Sequence, residues 1–145
     1  VGDYDFTLKA FKACGIKNVF HKIRQKPGKP LLFGVKGKKV VFGLPGNPSS
    51  VLTCYYEYVV LAIQLQTKRI ITLKTVITKM QDEFTKKSTL AHFMRGIYND
   101  NGVKLIKAQE SFKLSSFAKA NCIVFLPELT THLSKGDKVE IHLLP

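Results

Sequence analysis

Gly43-Leu44-Pro45-Gly46-Asn47-Pro48-Ser49-Ser50, with Lys26-Pro27-Gly28-Lys29-Pro30 upstream of it, decides how this chain is read. Both stretches are loops bracketed by proline and glycine. One opens a long apolar run and the other carries two lysines. Pro48 suits the first turn of a helix, where its missing N–H costs nothing, and Asn47 suits the cap before it. Lysines on a stiff loop supply full charge, while a helix N-terminus beside them supplies free N–H groups and the positive end of a dipole. Together they make a place for a multiply charged, phosphate-like anion.

Outward from these loops, the first half reads as mixed helix and strand. Asp5 is a plausible N-cap for a short helix whose stripe is Leu8, Phe11 and Cys14, and Gly15 stops it in the C′ position. Asn18 to Gln25, Leu31 to Val35 and Lys39 to Leu44 read as strands, with Gly37 turning between the last two. Val51 to Leu65 is apolar nearly all round and reads as a buried helix. From Ile70 onward the segments are short and strand-like: Ile70 to Thr78, Leu90 to Tyr98, Val103 to Lys107, Ile123 to Leu126 and Val139 to Leu143. Turn signals at Asn99-Asp100-Asn101-Gly102 and Lys135-Gly136-Asp137 separate them. The expectation is an α/β domain over residues 1–67 and a small all-β, barrel- or sandwich-like domain over residues 70–145.

The formal charge is +13, from 23 basic and 10 acidic residues, and only Arg24, Arg69 and Arg95 are arginine. Lysine spread through the whole chain argues against a nucleic-acid partner, which concentrates arginine and aromatics on one element. Cys14, Cys54 and Cys122 are far apart and lie in apolar contexts, so neither a disulfide framework nor a zinc site is expected. The apolar run from Val59 to Leu65 is too short to span a membrane, and the chain reads as cytoplasmic. Val1 is not methionine, and Gly2-Asp3-Tyr4-Asp5 reads as a loop entering a helix, so a fragment is expected.

On a strand, Lys22, Arg24 and Lys26 alternate onto one face. Like charges stacked there repel. Either that face is simply solvated, or an anion neutralises it.

At this point the residues resemble a known family. Val1-Gly2-Asp3-Tyr4-Asp5, Lys26 to Pro30, Gly43 to Pro48, Phe93-Met94-Arg95-Gly96, Ser111 with Ser115-Ser116-Phe117, Ala120-Asn121 and Lys135-Gly136-Asp137 resemble, in order, the C-terminal part of molybdopterin molybdotransferases, the family of MoeA and the gephyrin E domain. The resemblance implies a truncated three-layer molybdopterin-binding α/β domain followed by the C-terminal barrel. It implies molybdenum cofactor biosynthesis: molybdate is inserted into adenylated molybdopterin, AMP is released, and Mg2+ assists. The family's glycine-rich, serine-containing loop before the Val-Gly-Asp-Tyr-Asp motif and its N-terminal domains are not in this sequence. The fragment alone is therefore expected to be inactive. Its relatives build their cleft between two subunits, so a homodimer is expected of the full-length protein.

Residue by residue, the resemblance carries Lys22 and Lys26 over as anion-handling catalytic lysines and leaves Arg24 out. Asp5 carries over as an essential carboxylate positioning magnesium or the attacking water, with Asp3 ranked second. Lys29, Pro45, Gly46, Asn47, Pro48, Arg95 and Ser111 carry over as cofactor-binding, the Pro45 to Pro48 turn through its backbone N–H groups. Relatives usually have glycine before Ser111, where this chain has Glu110, a carboxylate that repels an anion unless it points away. His21, His92, His132 and His142 match no motif and read as strand-face residues. The alternative function is a non-catalytic interaction or scaffold module of the gephyrin E-domain type.

Overall fold

A computed structural model describes residues 6–106 and 115–145, which fall into two compact units. The first comprises residues up to Arg24 and Gly28–Thr72; the second comprises Gln25–Pro27 and Leu73–Pro145.

In the first unit, helix α1 (Thr7–Ala13) leads into strand β1 (Lys17–His21), and β3 (Leu32–Lys36) and β4 (Lys39–Gly43) complete an antiparallel sheet of order β1-β3-β4. Phe6, not Asp5, occupies the N-cap of α1, and it makes no side-chain cap. Gly15, at φ 66°, ends that helix as expected. The helix lies close on the sheet because Gly34 has no side chain: a Cβ there would meet Ile16 and the Phe11 ring at 2.6 and 3.1 Å. Phe20, Phe33 and Phe42 form an aromatic ladder across the three strands, with ring centroids 5.4 and 4.9 Å apart. Such cross-strand aromatic pairs fix register.

The apolar run after Pro48 is one helical stretch in three parts: α2 (Pro48–Cys54), a π-helical turn (Tyr55–Val59) and α3 (Val60–Thr67). It ends at Lys68 in the left-handed conformation, φ 58°. Gln64 then accepts from the Ile71 and Thr72 N–H groups, each at 3.0 Å, and so ties down the segment that follows. Burial of Tyr58 pushes its phenol up to about 12, with Cys54 and Glu57 adding to the effect. The expectation of a buried helix holds for Cys54 and Val60 but not for Leu61, Ile63 and Leu65, which are exposed. An all-round apolar composition does not say which side finds a neighbour. The unit is an antiparallel sheet with helices, and a three-layer layout is not evident in it.

The second unit is nearly all strand. Its sheet runs β2 (Gln25–Lys26), β7 (Ala91–Asn99), β9 (Cys122–Leu126), β11 (Lys138–Leu143), β5 (Lys74–Lys79), and β8 (Gly102–Leu105) also pairs with β7. A short ribbon joins β6 (Phe84–Thr85) to β10 (His132–Leu133), and α4 (Ser115–Lys119) precedes β9. The sheet closes into a small barrel where Met80 bridges Val103 and the Gln81 N–H donates to the Val103 carbonyl at 2.8 Å. Met80, Met94, Val103, Cys122, Val124, Leu126, Leu133, Val139 and Ile141 fill its core.

Three motif residues of this half are explained by closure. Gly102, at φ 114°, sits where a Cβ would collide with the Lys79 carbonyl. Asn121 acts as a surrogate strand, its side chain accepting from Tyr98 N–H at 2.7 Å and donating to Tyr98 C=O at 2.8 Å. Gly136, at φ 93°, makes the turn from which its N–H reaches the Met80 carbonyl at 2.8 Å. Gly102→Ala combines a strained backbone with a backbone collision, and should destabilise the chain by about 3 kcal/mol. Denaturant melts of the two proteins measure this; a loss under about 1 kcal/mol would show that closure at Gly102 tolerates a side chain.

Candidate functional site

Strand β1 stops at His21, and Lys22 stands just beyond it in the left-handed region, φ 68°. Lysine in that conformation is strained by roughly 1 kcal/mol or more, and such strain clusters at functional positions. Main-chain bonds hold it there. Lys22 N–H donates to the Leu31 carbonyl at 3.0 Å, Ile23 N–H to the Lys29 carbonyl at 2.9 Å, and Leu31 N–H to the Gly28 carbonyl at 3.1 Å. Lys22 and Lys29 thus flank one backbone clamp, and both side chains are exposed.

The single cationic face expected through Lys22, Arg24 and Lys26 does not form. Alternation needs a continuous strand, and the left-handed turn at Lys22 breaks it. Lys26 instead lies on β2 in the second unit, in parallel register with His92, while Gln25 pairs with Ala91. Gln25 is buried, and its side-chain amide donates to the Pro27 carbonyl at 2.9 Å.

The turn before α2 folds as its sequence suggests, but with a different consequence. The Asn47 side chain accepts from the Ser49 and Ser50 N–H groups at 3.1 and 3.3 Å, and the Asn47 carbonyl accepts from Val51 N–H at 2.9 Å. Pro48 has no N–H. The free helix N–H groups expected at this end are therefore spent on the cap. The Gly46 and Asn47 N–H groups, one step earlier, have no acceptor among the described residues. Gly46 has open space where a Cβ would sit and an ordinary backbone conformation, so nothing in the described chain requires glycine there. Pro45 beside it is buried, and Pro48 is exposed.

Arg95 is not a surface residue: it is 1% exposed, in the middle of β7. Its guanidinium lies 5.1 Å from the centre of the Phe117 ring on α4. Burial lowers its pKa from the ordinary guanidinium range. Asp5 and Ser111, with Asp3 and Glu110, lie outside the described residues.

Two residues are prominent in the second unit: Lys86, which sequence reasoning did not single out, and His92, which it read as a strand-face residue and which lies on β7. Lys86 is buried, and its ammonium donates to the carbonyls of Leu90 at 2.9 Å, Glu128 at 3.0 Å and Pro127. Burial lowers its pKa while Glu128 opposes that shift. This lysine is structural, caged by backbone oxygens, and no sequence signal distinguishes it from its many neighbours. His92 has its Nε2 buried without a hydrogen-bond partner. Burial, then Lys86, then Lys26 lower its pKa from 6.5.

Among the described residues no three His, Cys, Asp or Glu side chains group closely enough to hold a metal ion. Glu57 is the one carboxylate among the described residues of the first unit. These residues do not by themselves make a magnesium site, and no step below is routed through the metal. No helix of the described residues is long and apolar enough to cross a membrane.

The fold defines a mixed helix-and-sheet unit followed by a small barrel. Residues 1–67 match the family described as the probable molybdopterin binding domain, and residues 78–144 match the MoeA C-terminal region, domain IV. The chain thus carries a probable molybdopterin binding domain followed by a MoeA C-terminal region. It is 35% identical, over 99% of its length, to the molybdopterin molybdenumtransferase of Haemophilus influenzae, and 28% identical over 99% to that of Bacillus subtilis. It spans 38% and 35% of the length of those two relatives. The solved molybdopterin biosynthesis moeA protein of Pyrococcus horikoshii OT3 matches with a TM-score of 0.76 and 26% identity, covering 99% of this chain and 40% of that one.

Because the folded pKa of His92 lies below 6.5, folding favours its neutral form. Its contribution to stability is fully present above about pH 6.5 and is lost as the pH falls through the lowered value. The melting temperature should therefore fall between about pH 7 and pH 5, and fall less in His92→Gln. Equal slopes for the two proteins would show that His92 is not buried neutral.

Proposed function

We propose that this chain is the part of a molybdopterin molybdotransferase that handles the charged groups of its reactants during molybdenum cofactor biosynthesis. The substrates are adenylated molybdopterin and molybdate, and AMP is released. Lys22 and Lys26 are the catalytic cations. Lys29, the Gly46 and Asn47 N–H groups between Pro45 and Pro48, Arg95 and Ser111 bind the pterin and its phosphates. Asp5 is the one residue of the chain assigned to magnesium. The domains are residues 1–67 and 70–145, and the full-length enzyme is a cytoplasmic homodimer. The exposed Leu61, Ile63 and Leu65 fit a helix side that further layers of a three-layer domain cover.

One observation carries the reading: the backbone of Lys22 is fixed by hydrogen bonds in a strained conformation, while its side chain is exposed and has no carboxylate partner among the described residues. Lys26 is likewise exposed on a paired strand. A folded chain that holds cations in place without pairing them favours an incoming anion, and each charge-assisted contact contributes roughly 1.5–3 kcal/mol. Lys36 differs, because its ammonium donates to the Cys14 carbonyl at 2.7 Å. The transferase names of the relatives favour this reading over a scaffold module.

The test places Lys22→Gly and Lys26→Ala in a full-length molybdotransferase carrying this chain as its C-terminal part. Cofactor formation should fall about tenfold to a hundredfold, from one lost charge-assisted contact. Stability should stay within about 1 kcal/mol, since glycine accepts the left-handed turn at position 22. Lys38→Ala and Lys39→Ala should keep activity, and the 145-residue chain alone should show none. Retained activity in the Lys22 and Lys26 variants, or loss only through unfolding, would refute the assignment.

A further inference from the structure

We propose that His92 is the proton-carrying partner of Lys26, so that an oxyanion held at Lys26 is bound together with one proton taken up by the His92 ring. The inference rests on the anion-binding reading of Lys26 and adds to it a residue and a proton.

The geometry comes from the parallel pairing of β2 with β7, which sets His92 directly opposite Lys26. The Nε2 atom of His92 is buried and accepts or donates no hydrogen bond among the described residues. A change of protonation at that atom breaks no hydrogen bond among the described residues. Among the described residues, two charged groups act on the ring. Lys86 acts from the segment after β6, and Lys26 from β2, where it pairs in register with His92. Opposite it on β9 stands Leu126, which carries no charge. Glu128, after β9, acts on Lys86 in the opposite sense to burial.

Lys86 is held by three carbonyls and stays where it is. Lys26 is the neighbour whose charge a ligand alters. With Lys26 bare, a proton on His92 would add a third positive charge to a partly desolvated cluster, so the neutral ring is favoured. A divalent oxyanion at Lys26 reverses that field and stabilises the imidazolium. The proton comes from solvent and no covalent bond changes. By linkage, a protonated His92 raises anion affinity by the same factor that the anion raises proton affinity. This is a pH-tuned contact for phosphate- or molybdate-like ligands, and no sequence motif marks it.

Sulfate is the probe, because it stays a dianion across the whole range and any pH dependence belongs to the protein. Its affinity for the 145-residue chain should tighten at least roughly fivefold between about pH 8 and pH 5.5. Calorimetry in two buffers of different ionisation heat should register proton uptake on binding. The titration of the His92 ring, followed by nitrogen NMR, should move to higher pH when sulfate is added. In His92→Asn the tightening and the uptake should disappear, whereas His21→Gln should keep both. If the His92 titration ignores sulfate while the Lys26 side chain responds, or if His92→Asn keeps the uptake, the proton linkage is wrong and the anion reading stands. If Lys26→Ala binds sulfate as the parent does, the anion reading fails and the linkage with it.

Discussion

The backbone clamp between residues 22–23 and 28–31 is the constraint on which the rest depends. Two main-chain bonds close it, Lys22 to Leu31 and Ile23 to Lys29, and a third, Leu31 to Gly28, shapes the return segment. They leave Gln25 and Lys26 as a separate short strand in register with Ala91 and His92. They also hold Lys22 left-handed, a conformation a lysine adopts only when its surroundings dictate it. Both lysines are thus positioned through their main chains, which leaves their side chains free of structural duty. In a protein with a formal charge of +13, cations fixed in place with no carboxylate partner among the described residues are what the proposed anion site rests on.

The two proline- and glycine-bracketed turns divide the work differently from what their composition suggests. The end of α2 satisfies its own N–H groups through Asn47. Whatever the turn offers a ligand comes from the loop before the helix, at Gly46 and Asn47, and from the dipole. In the second unit the motif residues are mostly architectural. Gly102 permits close backbone approach, Gly136 supplies a left-handed turn, and Asn121 completes a ladder. Lys86, which no motif marks, gathers three carbonyls. Arg95 is the exception to that pattern: a buried cation, against Phe117, in the centre of a strand. Burial of a charge is expensive unless something answers it.

Much of this was legible in the sequence. Short strand-like runs located β5, β7, β8, β9 and β11 but not the two-residue strands β2, β6 and β10, and Gly15, Gly37, Asn47 and Pro48 took the local roles their chemistry dictates. The break at Lys22 was not legible, because a lysine in the left-handed region carries no compositional mark. The exposed side of α3 escaped for a similar reason: an apolar run says that a helix wants cover, not whether it has it. Lys86 and His92 were invisible as individuals, since what distinguishes them is which carbonyls and charges surround them in three dimensions. Arg95 was placed by resemblance alone, and its burial follows from β7 packing that no single-residue pattern encodes.

The central claim is that Lys22 and Lys26 are held ready for an anion by their backbones. Carbon-detected NMR of the lysine side chains during a molybdate titration measures it most directly. The account predicts saturable shifts at Lys22 and Lys26, with Lys36, Lys38 and Lys39 unmoved and the backbone bonds of the clamp intact. Weak, uniform shifts across all the lysines would contradict it, because they would show a diffuse counterion atmosphere in place of a site.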